Sequence, residues 1–319
     1  MRVALALIVV LAVALAGSYW GANLLRPSLN DETRAALQAD GKAHQFAKIA
    51  AGTVHYRDEG DKRAPTIVLI HGFSTPSFVY EDYFTPLTDA GFRVVSFDLF
   101  GRGYSDRPNI PFGEDLFVGQ VLGMINALNV SGPVHLVGYS MGGGVVADFS
   151  ARHPELVASV TLLAPVGFSE VSDVPAYVKA PVIGDWLFRV LGSQLMAARL
   201  EDGLELAPNP DRFLTQFRER AAYAGYYGAL LSTIRNYPMS PREPEHLTMV
   251  AAGIPVYSVW GDQDAVIPID GKDNLLKWNP SAIVTVIEAG THSITYSHAD
   301  EITQILIDTL RPASAQSAY

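Results

Sequence analysis

The sequence predicts an α/β fold with a doubly wound, mostly parallel sheet and a helical cap inserted late in the chain. Short apolar, β-branched runs recur along the chain, and most are separated by stretches long enough for a crossover helix. The runs are nearly continuous, which is typical of strands buried on both faces. Strands are expected at 66–70, 93–97, 133–137, 158–163, 255–260 and 282–287. Helices are expected at 78–90, 114–129, 141–152, 268–278 and 298–311.

The interval from 166 to 250 interrupts this alternation. It is rich in helix-forming and aromatic residues but contains no convincing strand, and a structureless loop of that length would be unusual. We therefore expect a helical cap at 166–250, between a first core part at 49–165 and a second core part at 251–312. A short tail is expected at 313–319.

The amino end predicts a segment directed to a membrane. Residues 3–25 carry no charge, and about 20 such residues in a helix span the apolar core of a bilayer. A cleaved signal peptide for residues 1–25 stays open, because Ala14-Leu15-Ala16 is similar to a cleavage site. The protein is expected to be membrane-anchored by a single helix or exported to the periplasm. A linker with a short helix is expected at 26–48.

Composition excludes several classes of function. The formal net charge is −10 and the pI about 5.2, and such an acidic surface repels phosphate backbones, so no nucleic acid partner is expected. The absence of cysteine excludes disulfides, thiol catalysis and thiolate metal sites. No cluster of metal-ligating residues suggests a metal, and no cofactor is expected.

The strongest chemical signal is the pentapeptide Gly138-Tyr139-Ser140-Met141-Gly142, which follows the expected strand 133–137. A sharp turn from strand to helix leaves no room for side chains at the flanking glycines, and it exposes the serine hydroxyl. Ser140 is therefore the candidate nucleophile. The alternative is a glycine-rich turn with an idle serine.

A second motif, Ile70-His71-Gly72-Phe73, follows the strand at 66–70. Gly72 allows close backbone approach, so the backbone N–H groups of Phe73 and Met141 can form an oxyanion hole. His71 lies beside this donor loop, where a structural role is favoured over proton transfer.

The candidate acid follows the strand at 255–260. Asp262 and Asp264 compete for this role, and a carboxylate at the carboxyl end of a strand can orient a histidine. Asp262 directly follows a glycine and is interpreted as a turn former that bonds to its own backbone. Asp264 is the expected acid.

The candidate base is His292, in a loop that follows the last strand and is preceded by Gly290. A histidine there can reach across the sheet edge to Ser140. The rival, His298, is expected to start the last helix and to face away from that edge.

The chain order Ser140, Asp264, His292 resembles that of the α/β-hydrolase superfamily, over roughly residues 50–312. The segment 98–106 (DLFGRGYSD) is similar to a loop of the esterase, epoxide-hydrolase and C–C-bond-hydrolase branches. A serine nucleophile argues against the branches that use aspartate. The elbow GYSMGG resembles those of monoacylglycerol lipases, carboxylesterases and C–C hydrolases of ring-cleavage products.

The resemblance implies an α/β-hydrolase fold and a serine hydrolase that cleaves small-molecule carboxylic esters with an apolar or lipid-like acyl part. Two alternatives stay open: C–C bond hydrolysis with the same triad, and a non-catalytic binding protein on this scaffold. C–C hydrolases commonly have Trp after the histidine, where this chain has Ser293. The sequence predicts neither the physiological substrate, the membrane orientation nor the oligomeric state.

Overall fold

The structure is a computed structural model of the 319-residue chain, and it describes residues 2–39, 44–169, 174–201, 204 and 207–311. The tail expected at 313–319 lies outside the described residues. Short parts of the expected linker and cap also lie outside them.

A single eight-stranded sheet organises the described part of the chain, in the strand order β1-β2-β4-β3-β5-β6-β7-β8. Strands β3 to β8 are mutually parallel, whereas β1 and β2 pair antiparallel with each other and β2 pairs antiparallel with β4. This confirms the doubly wound, mostly parallel α/β fold. The strands are β1 Gln45–Ile49, β2 Gly52–Glu59, β3 Thr66–Ile70, β4 Arg93–Phe97, β5 Val134–Tyr139, β6 Val157–Leu163, β7 Val256–Gly261 and β8 Ile283–Ile287.

Strands β1 and β2 were not expected from the sequence. Strand β1 (QFAKI) begins inside the range expected to be a linker, and β2 (GTVHYRDE) carries four charged or imidazole side chains. Both strands are only partly buried. They therefore lack the continuous apolar run by which the central strands were recognised.

Helices cover both faces of the sheet. On β3, Val68 and Ile70 pack into the apolar core of one face, and Ile67 and Leu69 into that of the other. The α-helices are α1 Arg2–Leu24, α2 Asp31–Ala39, α3 Phe84–Asp89, α4 Glu114–Ala127, α5 Met141–Arg152, α6 Ala176–Lys179, α7 Ile183–Trp186, α8 Gly192–Glu201, α9 Pro210–Ala221, α10 Tyr226–Asn236, α11 Glu243–Ala251, α12 Gly271–Trp278, α13 Ile294–Ser297 and α14 Ala299–Leu310. Short 3-10 helices occupy Ser77–Tyr83 and Pro154–Leu156, and a π-helical turn occupies Leu187–Leu191.

Helices α6 to α11 lie between β6 and β7, in the segment for which a cap is expected, and the described residues there form no strand. The amino-terminal helix α1 is long and apolar enough to cross a membrane, and its apolar side chains are largely exposed. It contacts the cap through Trp186, whose indole N–H donates to the Leu15 carbonyl at 3.2 Å and to Ser18 Oγ at 3.0 Å.

Candidate active site

Ser140 occupies the turn between β5 and α5. Its backbone has a positive φ, with φ 54° and ψ −120°, a conformation that costs energy for a residue with a side chain. The surroundings enforce it: a Cβ at Gly138 would lie 2.4 Å from the Gly142 carbonyl oxygen, and one at Gly142 would lie 2.2 Å from that of Ile70. The flanking positions therefore require glycine, for the reason the motif predicts.

The structure brings Ser140, His292 and Asp264 together in one chain of hydrogen bonds. His292 Nε2 lies 3.0 Å from Ser140 Oγ, and His292 Nδ1 lies 2.8 Å from Asp264 Oδ2. The Asp264 side chain is almost fully buried, whereas that of His292 is about one-fifth exposed. The imidazole can thus exchange protons with the serine hydroxyl on one side while the carboxylate orients it from the other.

The loop after β7 fixes the Asp264 carboxylate through its second oxygen. Asp264 Oδ1 accepts hydrogen bonds from the backbone N–H groups of Val266 and Ile267, both at 2.8 Å. Asp262 points elsewhere, and its buried Oδ1 has no hydrogen-bond partner among the described residues. The interpretation of Asp262 as a turn former bonded to its own backbone therefore finds no matching hydrogen bond.

The loop after β8 holds His292 beside the Asp264 loop. The Gln263 N–H donates to the Gly290 carbonyl at 2.9 Å, and a Cβ at Gly261 would lie 2.2 Å from the same carbonyl oxygen. The rival His298 lies at the start of α14, with Nδ1 at 2.8 Å from Ser297 Oγ.

Tyr139 also supports the His292 loop, a contact that sequence reasoning missed. Its hydroxyl donates to the His292 carbonyl oxygen at 2.8 Å, and the two ring centroids are 5.3 Å apart. Burial raises the pKa of Tyr139, so the hydroxyl stays protonated and remains a donor. The position directly before Ser140 was the only sequence signal for it.

The expected oxyanion donors lie on either side of the nucleophile. The N–H of Met141 is in the first turn of α5, where backbone donors lack partners within the helix. The N–H of Phe73 has no acceptor within the described part of the chain, and a Cβ at the preceding Gly72 would lie 3.0 Å from Ser140 Cβ. Both N–H groups are therefore available to a ligand oxygen near Ser140.

Arg102, within the 98–106 segment, holds the Phe73 peptide in place. Its Nε–H donates to the Phe73 carbonyl at 2.9 Å, and its Nη2 donates at 2.9 Å to Thr233 Oγ1 on the cap helix α10. The guanidinium is fully buried, and the ion pairs of the described residues include none to it. Burial lowers its pKa to about 9, which still leaves it charged at neutral pH.

His71 is buried beside this loop, and both of its ring nitrogens have partners. It is fully buried, its Nδ1 lies 2.8 Å from the Gly72 carbonyl oxygen, and its Nε2 accepts from the Leu99 N–H at 2.8 Å. Burial lowers its pKa to about 4. The ring is therefore neutral at physiological pH and ties the Gly72–Phe73 loop to the 98–106 segment.

A cavity of about 390 Å³ opens at Ser140 and His292. Cap residues Met196 and Leu200 line it together with Val266 and Tyr296, and the described lining residues include no Asp, Glu, Lys or Arg. An uncharged, largely apolar group fits such a lining best.

The described geometry can support attack by an activated hydroxyl on a carbonyl carbon. His292 can take the proton from Ser140, and the developing negative charge can be bound by the two free N–H groups. These steps need only side chains and backbone groups that the described residues supply.

Comparisons with known proteins agree with this architecture. The crystal structure of the enol-lactonase from Burkholderia xenovorans LB400 has a TM-score of 0.69 at 22% identity, over 83% of this chain and 99% of that chain. The crystal structure of a membrane phospholipase A has a TM-score of 0.66 at 24% identity, over 97% of both chains. The 2-hydroxy-6-oxo-6-phenylhexa-2,4-dienoate hydrolase of Comamonas testosteroni is 25% identical over 290 residues, covering 85% of this chain and 98% of that protein.

The sequence model of the alpha/beta hydrolase fold matches residues 65–299, which is most of the chain and includes Ser140, Asp264 and His292. With the eight-stranded sheet and the turn at Ser140, this match assigns the family. The chain belongs to the alpha/beta hydrolase fold family.

Proposed function

We propose that the protein is a membrane-tied serine hydrolase that cleaves carboxylic esters with an apolar acyl part. Ser140 Oγ attacks the ester carbonyl while His292 takes its proton, and Asp264 stabilises the resulting imidazolium. The N–H groups of Phe73 and Met141 bind the oxyanion, each contributing about 3 kcal/mol to lowering the barrier. His292 then protonates the leaving alcohol, and a water activated by His292 releases the acid.

The observation that carries the proposal is the hydrogen-bonded chain from Ser140 through His292 to Asp264, at 3.0 and 2.8 Å, in a cavity without charged lining residues among those described. An ester is uncharged at its reacting carbonyl, so it can enter such a cavity without desolvating an ionised group.

The membrane part of the proposal is supported by the contact between α1 and the cap. Trp186 binds α1 at Leu15, nine residues before its end at Leu24, which is about 13 Å along the helix axis. If α1 spans a bilayer, this part of the cap reaches the apolar layer.

The cap also presents apolar side chains that a bilayer could cover. About half or more of the residue surface is exposed at Val182, Ile183 and Leu195. The similar structure that matches 97% of this chain is that of a membrane phospholipase A, which supports a lipid-like ester as substrate.

Labelling with a fluorophosphonate probe tests the nucleophile. The wild-type chain should be labelled, and Ser140→Ala should be neither labelled nor active on esters, with turnover lower by several orders of magnitude. Ser293→Ala is the matched control, because its hydroxyl bonds to Thr291 and not to His292. Retention of more than a few per cent of ester turnover by Ser140→Ala would rule out the assignment.

A panel of esters graded by acyl length then defines the substrate class. The apolar lining by Met196 and Leu200 predicts that kcat/KM rises as the acyl chain lengthens. The alternative, C–C bond hydrolysis, is favoured by the similarity to the dienoate hydrolase. Turnover of a ring-cleavage dienoate together with inactivity on every ester would select it.

A further inference from the structure

A second and larger cavity, of about 910 Å³, shares no lining residue with the cavity at Ser140. The linker residue Pro27 forms part of its wall, and strand β2 contributes Arg57. The cap helix α9 contributes Arg212 and Arg220. The chemistry proposed for Ser140 does not use this cavity.

Arg220 differs from the other two arginines of this wall. Arg57 and Arg212 each have a carboxylate oxygen at 2.6 Å, from Glu59 and Glu81 respectively. The nearest carboxylate to Arg220 belongs to Glu219, 4.0 Å away, and that side chain is about half exposed. Arg220 therefore has no close carboxylate partner among the described residues, although the charge of Glu81, which is paired with Arg212, also reaches it.

The Arg220 guanidinium is nonetheless held in a fixed place. Its side chain is only 11% exposed, and it lies over the rings of Phe78 and Tyr104, at 5.0 and 5.2 Å from their centroids. Its hydrogen bond within the described chain runs from Nη1 to the Gln216 carbonyl at 3.1 Å. A guanidinium has several further N–H donors, and the cavity is open to them.

Two phenol groups add donors beside Arg220. The rings of Tyr104 and Tyr223 meet edge to face, with centroids 5.6 Å apart, and both line the cavity. The hydrogen bonds of the described residues include none made by either hydroxyl. Burial raises the pKa of Tyr104 to about 12, so its hydroxyl is a donor at neutral pH. A fixed cation flanked by unpaired hydroxyl donors is suited to the oxygens of an anion.

The position of the cavity indicates which anion it meets. Pro27 follows the end of α1 at Leu24 by three residues, so a membrane-spanning α1 would place the cavity mouth in the headgroup layer. This step rests on the proposed membrane location. The exposed carboxylates of Glu219 and Asp211 line the same cavity and suit the ammonium of a zwitterionic headgroup.

We propose that the cavity formed by Arg220, Tyr104 and Tyr223 binds the phosphate diester of a phospholipid headgroup, at a site separate from the one where esters are cleaved. The guanidinium and the two hydroxyls hold the phosphate oxygens. The protein would thereby hold a lipid headgroup at the base of α1 while the Ser140 cavity stays free for its substrate.

The test measures binding in the full chain with Ser140→Ala, solubilised in a phosphate-free maltoside detergent, so that no catalysis contributes. Glycerophosphoethanolamine and inorganic phosphate are titrated separately by calorimetry. We expect saturable binding of the diester that is weakened about tenfold or more by Arg220→Gln and several-fold by the double change Tyr104→Phe and Tyr223→Phe, which keeps both rings. Arg63→Gln, an exposed arginine outside the cavity, should leave the affinity unchanged.

Equal affinities with and without the Arg220 guanidinium, or no saturable binding of the diester, would overturn the proposal. Inorganic phosphate binding as tightly as the diester would overturn the lipid headgroup as its source. If Arg220→Gln does not fold, the double tyrosine variant decides alone, and unchanged affinity in it overturns the proposal. If the wild-type chain cleaves no ester, only the function proposed for Ser140 is refuted, because headgroup binding is measured in the Ser140→Ala chain.

Discussion

The Asp264 carboxylate uses one oxygen for His292 and the other for two backbone N–H groups, so its position is fixed from both sides. Asp264→Asn should preserve the shape but favour the wrong imidazole tautomer, and kcat on a soluble ester should fall by about 10⁴. Asp262→Asn is the matched control, because its carboxylate touches neither His292 nor Ser140 among the described contacts. A larger loss of kcat in Asp262→Asn would show that the acid is misassigned.

Arg102 is a positioning residue, since it acts on the oxyanion donor of Phe73 only through the carbonyl oxygen of that residue. Arg102→Lys keeps a charge but cannot reproduce the planar set of donors, so kcat should fall about 10- to 100-fold with KM nearly unchanged. Thr233→Val is the control, because it removes the contact to the cap and spares the Phe73 carbonyl. An equal rate of fluorophosphonate labelling in Arg102→Lys and wild type would contradict the positioning role.

Site residues that belong to a short sequence motif can be predicted, whereas those that act through a tertiary contact cannot. The positions of Ser140, Asp264 and His292 follow from short motifs at strand ends, because parallel strands bring their carboxyl ends to one edge of the sheet. The contacts of Tyr139 and Arg102 depend on which backbone carbonyl folds against them. No periodicity or motif specifies that, so neither residue could be assigned a role from the sequence.

At the scale of the element, burial decided which strands could be predicted. Strand β3 is fully buried and its expected bounds are the observed ones, whereas β2 ends in Arg57, Asp58 and Glu59 and was not predicted. Strand β2 pairs antiparallel with β4, so it needs no apolar run on both faces to join the sheet.

Helix α11 carries a buried histidine, His246, that makes the stability of the fold depend on pH. Its ring lies 4.7 Å from that of Phe168, its Nδ1 is buried without a partner among the described residues, and burial lowers its pKa to about 3. Below about pH 6.5 the unfolded chain takes up a proton at His246, whereas the folded chain does not. The free energy of unfolding is therefore highest above pH 6.5, and the contribution of this group is lost as the pH falls toward 3.

His246→Phe should remove that pH dependence. Between pH 7.5 and 5, the wild-type free energy of unfolding should lose about 2 kcal/mol from this group, and the variant should lack this loss. Denaturant unfolding of the detergent-solubilised chain at the two pH values measures it. His153→Phe, at a residue directly after α5 whose side chain is about a quarter exposed, is the control and should keep the wild-type pH dependence. The same loss in His246→Phe as in wild type would contradict the prediction.

At the scale of the whole molecule, helix α1 and the residues that follow it are hydrogen-bonded to the cap. Besides the bonds of Trp186 to α1, Arg26 donates to the Ala221 carbonyl at 3.3 Å, and the Ala224 N–H donates to the Pro27 carbonyl at 2.9 Å. The cap also lines the Ser140 cavity through Met196 and Leu200. The same insertion therefore contacts both the apolar helix α1 and the site of the proposed chemistry.

Deleting residues 2–25 separates two roles for α1, because it keeps Arg26 and Pro27 and so keeps the linker on the cap. If α1 and the cap together draw the substrate from a bilayer, the truncated chain should retain kcat/KM on soluble short-chain esters. Its turnover of esters embedded in vesicles should fall by tenfold or more, because the chain no longer partitions into the membrane that holds the substrate.

The control for this deletion is a chain in which an unrelated apolar helix replaces residues 2–22. It restores membrane location without the hydrogen bonds that Leu15 and Ser18 make to Trp186. Recovery of vesicle turnover in this control would assign α1 to location alone, whereas continued loss would require the specific α1–cap contact. Equal retention on both substrates by the truncated chain would contradict delivery from the bilayer.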